Sequence, residues 1–420
     1  MTQLRLAPLP ETCRVDESVH MRVEGLVPSM PVVLSLASAG APGTLMPAQA
    51  RFVAAEWDLD LSRDAPLSGS YAGVDPMGLF WSRAPHLAAD VAPQVRVAAD
   101  PLTVTLTIET DGHVLWHAIR RHFQAPDVVA TDVAEDGLVG RLFTPPGGAR
   151  GRAVLVVGGS SGGLSWSREV AALLAAQGHT ALALAYFGLP TLPATLDRVP
   201  LEYFDRALAW LAARPGVNGQ RIGVCGVSRG GELALLLGAI FPTVRAVVAY
   251  VPSGLLWGAY PFNFHAAWTW RGRELPAAQV TVAEWEALAA SGRMQREPHV
   301  VYQVVLANEA MVRDTAIPVE KIAGPVLMIS GGADGLWPAT ALTEVAERRL
   351  REHCFPHRFE HIVYPEAGHA IGLPNVTTTM SRFKHPVSGE QVDLGGTPAA
   401  DARASRDAWP RMLSFLAESL

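Results

Sequence analysis

Cysteine, charge and long apolar runs are all scarce in this chain of 420 residues. Its three cysteines, Cys13, Cys225 and Cys354, are widely spaced and form no C-x-x-C pair. Disulfide frameworks and zinc knuckles need paired thiols, so the pattern reads as a reduced intracellular protein with neither. Charged residues are only 18% of the chain, the formal charge is −6, and Lys and Arg form no run. A nucleic-acid partner calls for a basic face, so that class is excluded. No stretch approaches the ~20 apolar residues that span a bilayer. Met1 to Pro10 holds one Arg and no apolar core of signal-peptide length. Glu418-Ser419-Leu420 lacks the lysine of an S-K-L peroxisomal address. The expectation is a soluble, cytoplasmic protein.

Apolar residues, by contrast, make up 49% of the sequence, enough for a large core. The length exceeds what one compact core organises and suggests two domains. In the first third, short alternating runs such as Val19–Val23 and Val32–Leu36 recur between Pro/Gly turns. Leu102–Ile108 alternates Thr with Leu, Val or Ile over seven positions. This spacing predicts an antiparallel β-sandwich over residues 1–126, without a helix. Gln124–Asp127 is the seam.

From residue 127 the period changes. Ala153–Val157 is a continuous apolar run, as a strand buried on both faces requires. Strands are also predicted at Leu138–Phe143, Thr180–Ala185, Ile222–Val224, Val244–Val251, Pro325–Ser330 and His361–Tyr364. Helices are predicted at Ser167–Gln177, Leu201–Ala213 and from Gly231. Strands alternating with helices mean crossover connections and a mainly parallel sheet over residues 127–420. An insertion at about residues 252–318 carries Trp257, Tyr260, Phe262, Phe264, Trp268 and Trp270. Starting just past a strand end, it is placed to form a lid or a pocket wall, or to pack its own aromatics onto the sheet.

Within this frame, Gly226-Val227-Ser228-Arg229-Gly230 follows a strand and opens a helix. That is the G-x-S-x-G nucleophile elbow: a sharp turn lifts the serine hydroxyl off the sheet and tolerates only small residues two before and two after. A serine hydroxyl needs a base, and the base needs an acid to orient it. Acid and histidine follow the serine in the α/β-hydrolase order. Asp334 lies in Gly331-Gly332-Ala333-Asp334-Gly335 and His369 in Pro365-Glu366-Ala367-Gly368-His369, each on a loop just past a strand. Asp314 precedes its strand and Glu366 is too near His369, so both are weaker acids. His353, His357, His361 and His385 are expected at the surface. Cys225, inside the strand, reads as a buried small hydrophobe. The oxyanion requires two backbone N–H donors: Arg229, after the nucleophile, and Ser160 or Ser161 in Gly158-Gly159-Ser160-Ser161-Gly162-Gly163. That loop lacks the G-K-[ST] ending and the G-x-G-x-x-G spacing of phosphate loops. No H-E-x-x-H occurs, and neither a metal nor another cofactor is called for.

With these residues in place, the chain resembles the acyl-CoA thioesterases and bile acid-CoA:amino acid N-acyltransferases. Gly69-Ser70-Tyr71-Ala72-Gly73-Val74-Asp75-Pro76-Met77-Gly78-Leu79-Phe80-Trp81 is similar to that family's G-S-[FY]-x-G-x-x-P-M-G-L-x-W segment. Leu201-Glu202-Tyr203-Phe204, Gly226–Leu233, Pro318–Ile322, Tyr364–His369 and Gly395-Gly396-Thr397-Pro398 also fit. The resemblance implies an immunoglobulin-like domain before an α/β-hydrolase domain, and a Ser/Cys–Asp–His triad falling on Ser228, Asp334 and His369. In such a family thioesterases carry Ser at the elbow and amino-acid transferases typically Cys, so Ser228 favours hydrolysis of acyl-CoA to free acid. Transfer to an amino acid, or hydrolysis of carboxylic esters or lactones on the same triad, are the alternatives. A silent hydrolase fold serving only as a binding module would lack a triad member, and none is missing.

Overall fold

The computed structural model describes residues 3–40, 44–85 and 100–420. They divide into two compact units. One comprises Met1–Ala125 with the segments Leu373–Lys384 and Thr397–Arg406; the other comprises Pro126–Gly372, His385–Gly396 and Asp407–Leu420. The two returning segments, placed by sequence alone within residues 127–420, therefore group with the first unit.

The first unit is built of two sheets. Six strands run in the order Thr12–Arg14, His113–His122, Leu102–Thr110, Pro31–Ala39, Leu45–Val53 and Ser68–Gly69. Three more pair as Arg5–Leu6, Arg22–Glu24 and Asp58–Asp60. Period-two alternation sets the register: Leu34 faces Ile108 and Leu36 faces Leu106 across antiparallel strands. Those residues share one apolar cluster with Val23 and Leu59 of the smaller sheet. One short helix, Gly78–Trp81, departs from the all-strand expectation. Its first residue must be glycine, because a Cβ there would lie 2.4 Å from the Tyr71 ring. Asp75 accepts the Trp81 indole N–H at 2.9 Å and pairs with Arg406, which ties this segment into the unit's own packing.

The second unit is centred on an eight-stranded sheet in the order Val129–Val133, Val139–Thr144, Thr180–Ala185, Gly151–Val157, Val217–Val227, Val244–Tyr250, Val326–Gly331 and Phe359–Tyr364. The pairings that hold the first two strands to each other and to Thr180–Ala185 are antiparallel. All the others are parallel. Ala153–Val157 and Ala181–Ala185 are completely buried, which their unbroken apolar sequence requires of strands covered on both faces. Helices Ser165–Ala176, Glu202–Ala212, Arg229–Ile240 and Ala339–Glu352 form the crossovers. This is the α/β-hydrolase fold expected from the sequence. Because the last four strands are mutually parallel, the loops after Val227, Gly331 and Tyr364 leave the same edge of the sheet, where ligands of such sheets bind.

The insertion contributes strand Trp268–Trp270, hairpin partner Arg273–Glu274 and helices Val282–Ala290, Arg293–Arg296, Val300–Ala307 and Glu309–Thr315. Its aromatics differ in their surroundings. Trp268 packs in the core against Tyr186 and Phe204, with ring centroids 5.9 and 6.2 Å apart. Trp257 instead meets Tyr302 at 4.9 Å, and Phe264 stays exposed.

Candidate active site

Ser228 joins the end of strand Val217–Val227 to the first residue of helix Arg229–Ile240. Its backbone sits at φ 58°, ψ −122°, a conformation that L-residues adopt only under constraint. Several contacts impose it. The Ser228 amide donates to Tyr250 O at 2.8 Å, and Ser228 O accepts from Glu232 N at 3.0 Å. A Cβ on Gly226 would lie 1.9 Å from Gly230 O, and one on Gly230 would lie 2.3 Å from Gly158 O. Only hydrogen fits at either place, so the glycines two before and two after the serine are steric requirements of the turn.

Asp334 and His369 lie on the loops after the last two strands, and the structure brings them together. His369 Nδ1 stands 2.6 Å from Asp334 Oδ2, both side chains buried. The other carboxylate oxygen accepts the amides of Leu336 at 2.9 Å and Trp337 at 3.1 Å, which fixes the carboxylate's orientation. With Nδ1–H donated to a carboxylate, neutral His369 carries its lone pair on Nε2 and is arranged as a base. The competing acids are elsewhere engaged or exposed: Asp314 pairs with Arg313 on an exposed helix face, and Glu366 is exposed.

What holds the two loops in register is the segment Leu394–Gly396. Leu394 O accepts both His369 N at 2.7 Å and Gly335 N at 3.1 Å, and Gly396 N donates to Ala333 O at 2.8 Å. Gly395 has φ +68°, and a Cβ there would lie 2.2 Å from Ala333 O. Gly395, marked in the sequence only by family resemblance, thus has a local reason to be glycine.

The loop Gly158–Gly163 packs beside the serine. A Cβ on Gly159 would stand 3.6 Å from Ser228 Oγ. Gly162 and Gly163 donate their amides to Gly159 O and Phe187 O, so these two are engaged away from the serine. Arg229 N, as the first amide of its helix, has no intrahelical acceptor. Ser160 and Ser161 are thus not excluded as the second donor. Tyr186 OH donates to Gly158 O at 2.7 Å and anchors the start of the loop.

The sequence points only to a backbone role for Arg229, but its side chain is buried as well. The guanidinium donates to Gly258 O at 2.9 Å and Trp257 O at 3.0 Å and lies 2.9 Å from the Glu232 carboxylate. Glu232 in turn accepts from Trp268 Nε1 at 2.8 Å. Burial pushes its carboxyl up, while Arg229 and the N–H donors pull it back. Of the histidines expected at the surface, His385 is buried and His361 has a covered side chain. His361 lies 2.8 Å from both Glu347 and Ser330, and His385 lies 3.1 Å from Ser160 Oγ. Each sits where a polar partner from a distant element comes to meet it, which local sequence does not announce. Cys225 is fully buried, and desolvation pushes its thiol up to about 12, as a hydrophobe inside a strand requires.

Known proteins share both parts of this chain. Residues 199–420 match the family described as BAAT / Acyl-CoA thioester hydrolase C terminal, and residues 16–135 match Acyl-CoA thioester hydrolase/BAAT N-terminal region. Acyl-coenzyme A thioesterase 6 of Mus musculus is 33% identical over 428 residues, covering 99% of this chain and 96% of that protein. Acyl-coenzyme A thioesterase 1 of Homo sapiens is 31% identical over 421 residues, covering 97% and 94%. Acyl-coenzyme A thioesterase 3 of Mus musculus is 31% identical, covering 96% and 91%. No described helix is long and apolar enough to cross a membrane. Matched in both parts and over nearly its whole length, the chain belongs to the acyl-CoA thioester hydrolase/BAAT family and is an enzyme of the hydrolase class.

Proposed function

We propose that the protein hydrolyses acyl-CoA thioesters to free acid and CoA through Ser228, His369 and Asp334. The observation that carries this reading is the buried 2.6 Å contact between His369 Nδ1 and Asp334 Oδ2, at the sheet edge where Ser228 stands on its strained turn. His369 Nε2 takes the Ser228 proton as Oγ attacks the thioester carbonyl carbon. Asp334 keeps the imidazole in the right tautomer and stabilises its charged form. The oxyanion is received by Arg229 N and by the amide of Ser160 or Ser161. The C–S bond then breaks, and the imidazolium proton goes to the CoA sulfur. Water, activated by the same Nε2, cleaves the Ser228 ester and releases the acid. The dispersed free cysteines support a reducing compartment, and we assign the cytoplasm; cell fractionation tests that assignment.

The reading is tested by free-thiol release from short- to long-chain acyl-CoAs, with wild type and Ser228→Ala, with and without glycine or taurine. Free acid should be the product by mass, with kcat reduced on the order of 10⁴-fold or more in the variant. N-acyl amino acid as the main product moves the enzyme to the transferase class. Ser228-dependent cleavage of simple esters with no turnover of any acyl-CoA rejects the thioester substrate.

A further inference from the structure

The loop that offers the second oxyanion donor, Gly158–Gly163, is four-sixths glycine and has little stiffness of its own. Its serine hydroxyl is met by a residue 225 positions away: His385 Nε2 lies 3.1 Å from Ser160 Oγ. The surroundings of that ring decide which atom donates. Nδ1 faces the backbone amides of Val387 at 3.3 Å and Ser388 at 3.4 Å, and an amide N–H can only donate. Nδ1 is therefore the acceptor, the proton of the neutral ring is on Nε2, and Nε2–H donates to Ser160 Oγ.

The imidazole is also walled in. It is 3% exposed, and Tyr260 packs edge-on against it with centroids 4.9 Å apart. Tyr260 OH donates to Ser388 Oγ at 2.9 Å, and His385 and Glu390 close the turn that presents the ring. Desolvation pushes the ring's pKa down to about 4, which keeps it neutral through the working range of most enzymes. A neutral, buried imidazole whose Nε2 meets a hydroxyl of the oxyanion loop is more than a packed core residue needs.

We propose that His385 is a positioning residue for thioester hydrolysis: it grips Ser160 and so fixes the amides of the Gly158–Gly163 loop beside Ser228. The proposal rests on the assignment of Ser228 and that loop made above. It has a distinct kinetic signature. A hole that is out of place loses stabilisation of the tetrahedral oxyanion and leaves ground-state binding alone. Displacement by about 1 Å is enough to cost on the order of 100-fold.

The test compares His385→Ala, His385→Gln, Ser160→Ala and the double variant His385→Ala/Ser160→Ala, with Ser228→Ala alongside. Each is measured for kcat, KM and Tm on one acyl-CoA that wild type turns over. His385→Ala should lower kcat about 10- to 100-fold, while KM stays within about twofold. His385→Gln, whose amide N–H reaches toward the same hydroxyl, should recover most of that loss. The double variant should be no slower than the slower single variant, since both remove one interaction. A kcat within about twofold of wild type in His385→Ala, with only Tm lowered, overturns the proposal, as do multiplied losses in the double variant. Should His385→Ala fail to fold, Ser160→Ala, which removes a single hydroxyl, decides alone: a lowered kcat at constant KM supports the proposal and an unchanged kcat overturns it. Turnover retained by Ser228→Ala would instead overturn the active-site assignment beneath it.

Discussion

The carbonyl of Leu394 accepts the backbone amide of His369 at 2.7 Å and holds the candidate base from a segment 25 residues further along the chain. The same oxygen accepts Gly335 N, so one backbone atom registers the His369 loop against the Asp334 loop. Gly395, the next residue, lies at φ +68°, with Ala333 O and Gly335 N each within 2.3 Å of where a Cβ would be. Both neighbours are backbone, and no rotamer relieves the clash. Gly395→Ala should therefore spread the two loops and lower kcat by about 100-fold, with far-UV circular dichroism unchanged. Wild-type kcat in a folded Gly395→Ala protein would remove Leu394–Gly396 from the support of the site.

Arg229 and Glu232 make a second tie, between the elbow helix and the insertion. The guanidinium grips the carbonyls of Trp257 and Gly258, and the carboxylate accepts from Trp257 N and Trp268 Nε1. Glu232→Gln keeps the shape and most acceptors but leaves Arg229 buried without its counter-charge. Loss of one partner of a buried pair costs about 3–5 kcal/mol, so the urea midpoint should fall accordingly. An unchanged midpoint would mean that the carbonyls of Trp257 and Gly258 compensate Arg229 by themselves.

Much of this site is legible in the sequence, and the boundary has physical causes. Ser228 is readable as a candidate because the strained turn at G-x-S-x-G constrains five consecutive residues, and the glycines at Gly226 and Gly230 leave a local trace. Asp334 and His369 are readable because each follows an apolar run ending in glycine-containing turns. His385 and Leu394 are not. Their roles depend on where the chain returns after His369, and nothing in Lys384-His385-Pro386 reports a contact with Ser160. The same holds for Leu373–Lys384 and Thr397–Arg406, which join the first unit although they follow the eight-stranded sheet in sequence. Helix Gly78–Trp81 is four residues long, too short to display a period.

Stability should fall as the pH drops through the histidine range, ahead of the carboxylates whose pKa values are lowered. His179 is buried, and desolvation followed by the nearby charge of Arg152 lowers its pKa to about 4. Desolvation lowers His385 to about 4 as well. With folded values below the unfolded value near 6.5, only the unfolded chain takes up a proton between those limits. Their contribution is complete above pH 6.5, declines as the pH falls toward 4, and is spent below that. Glu320 and Glu347 have lowered pKa values, so their contributions fade only below the ordinary glutamate range. Between pH 7.5 and 5 the unfolding free energy should decrease by about 2 kcal/mol per histidine. Urea melts at those two pH values check this: His179→Leu should remove about half of the decrease, and an undiminished decrease would exclude His179 as its source.

A row of aromatic rings leads from the candidate base into the insertion. Trp337 lies edge-on to His369 at 6.0 Å, Tyr302 follows at 6.3 Å, and Trp257 closes on Tyr302 at 4.9 Å. The outer two are pinned, Trp337 Nε1 donating to Val251 O and Trp257 Nε1 to Ser253 Oγ. Tyr302, on helix Val300–Ala307, is the middle ring, and burial pushes its phenol up to about 12, so it remains neutral during turnover. If this row walls the acyl group, Tyr302→Ala opens room for additional methylenes while the tryptophans hold the frame. Each methylene newly buried is worth about 0.8 kcal/mol, or about fourfold in kcat/KM. The preferred acyl chain should therefore lengthen, and activity on chains too short to fill the enlarged space should fall. The decisive readout is the kcat/KM profile across saturated acyl-CoAs from short to long chains. A profile parallel to wild type's at every length would show that the row packs the insertion and does not meet the substrate.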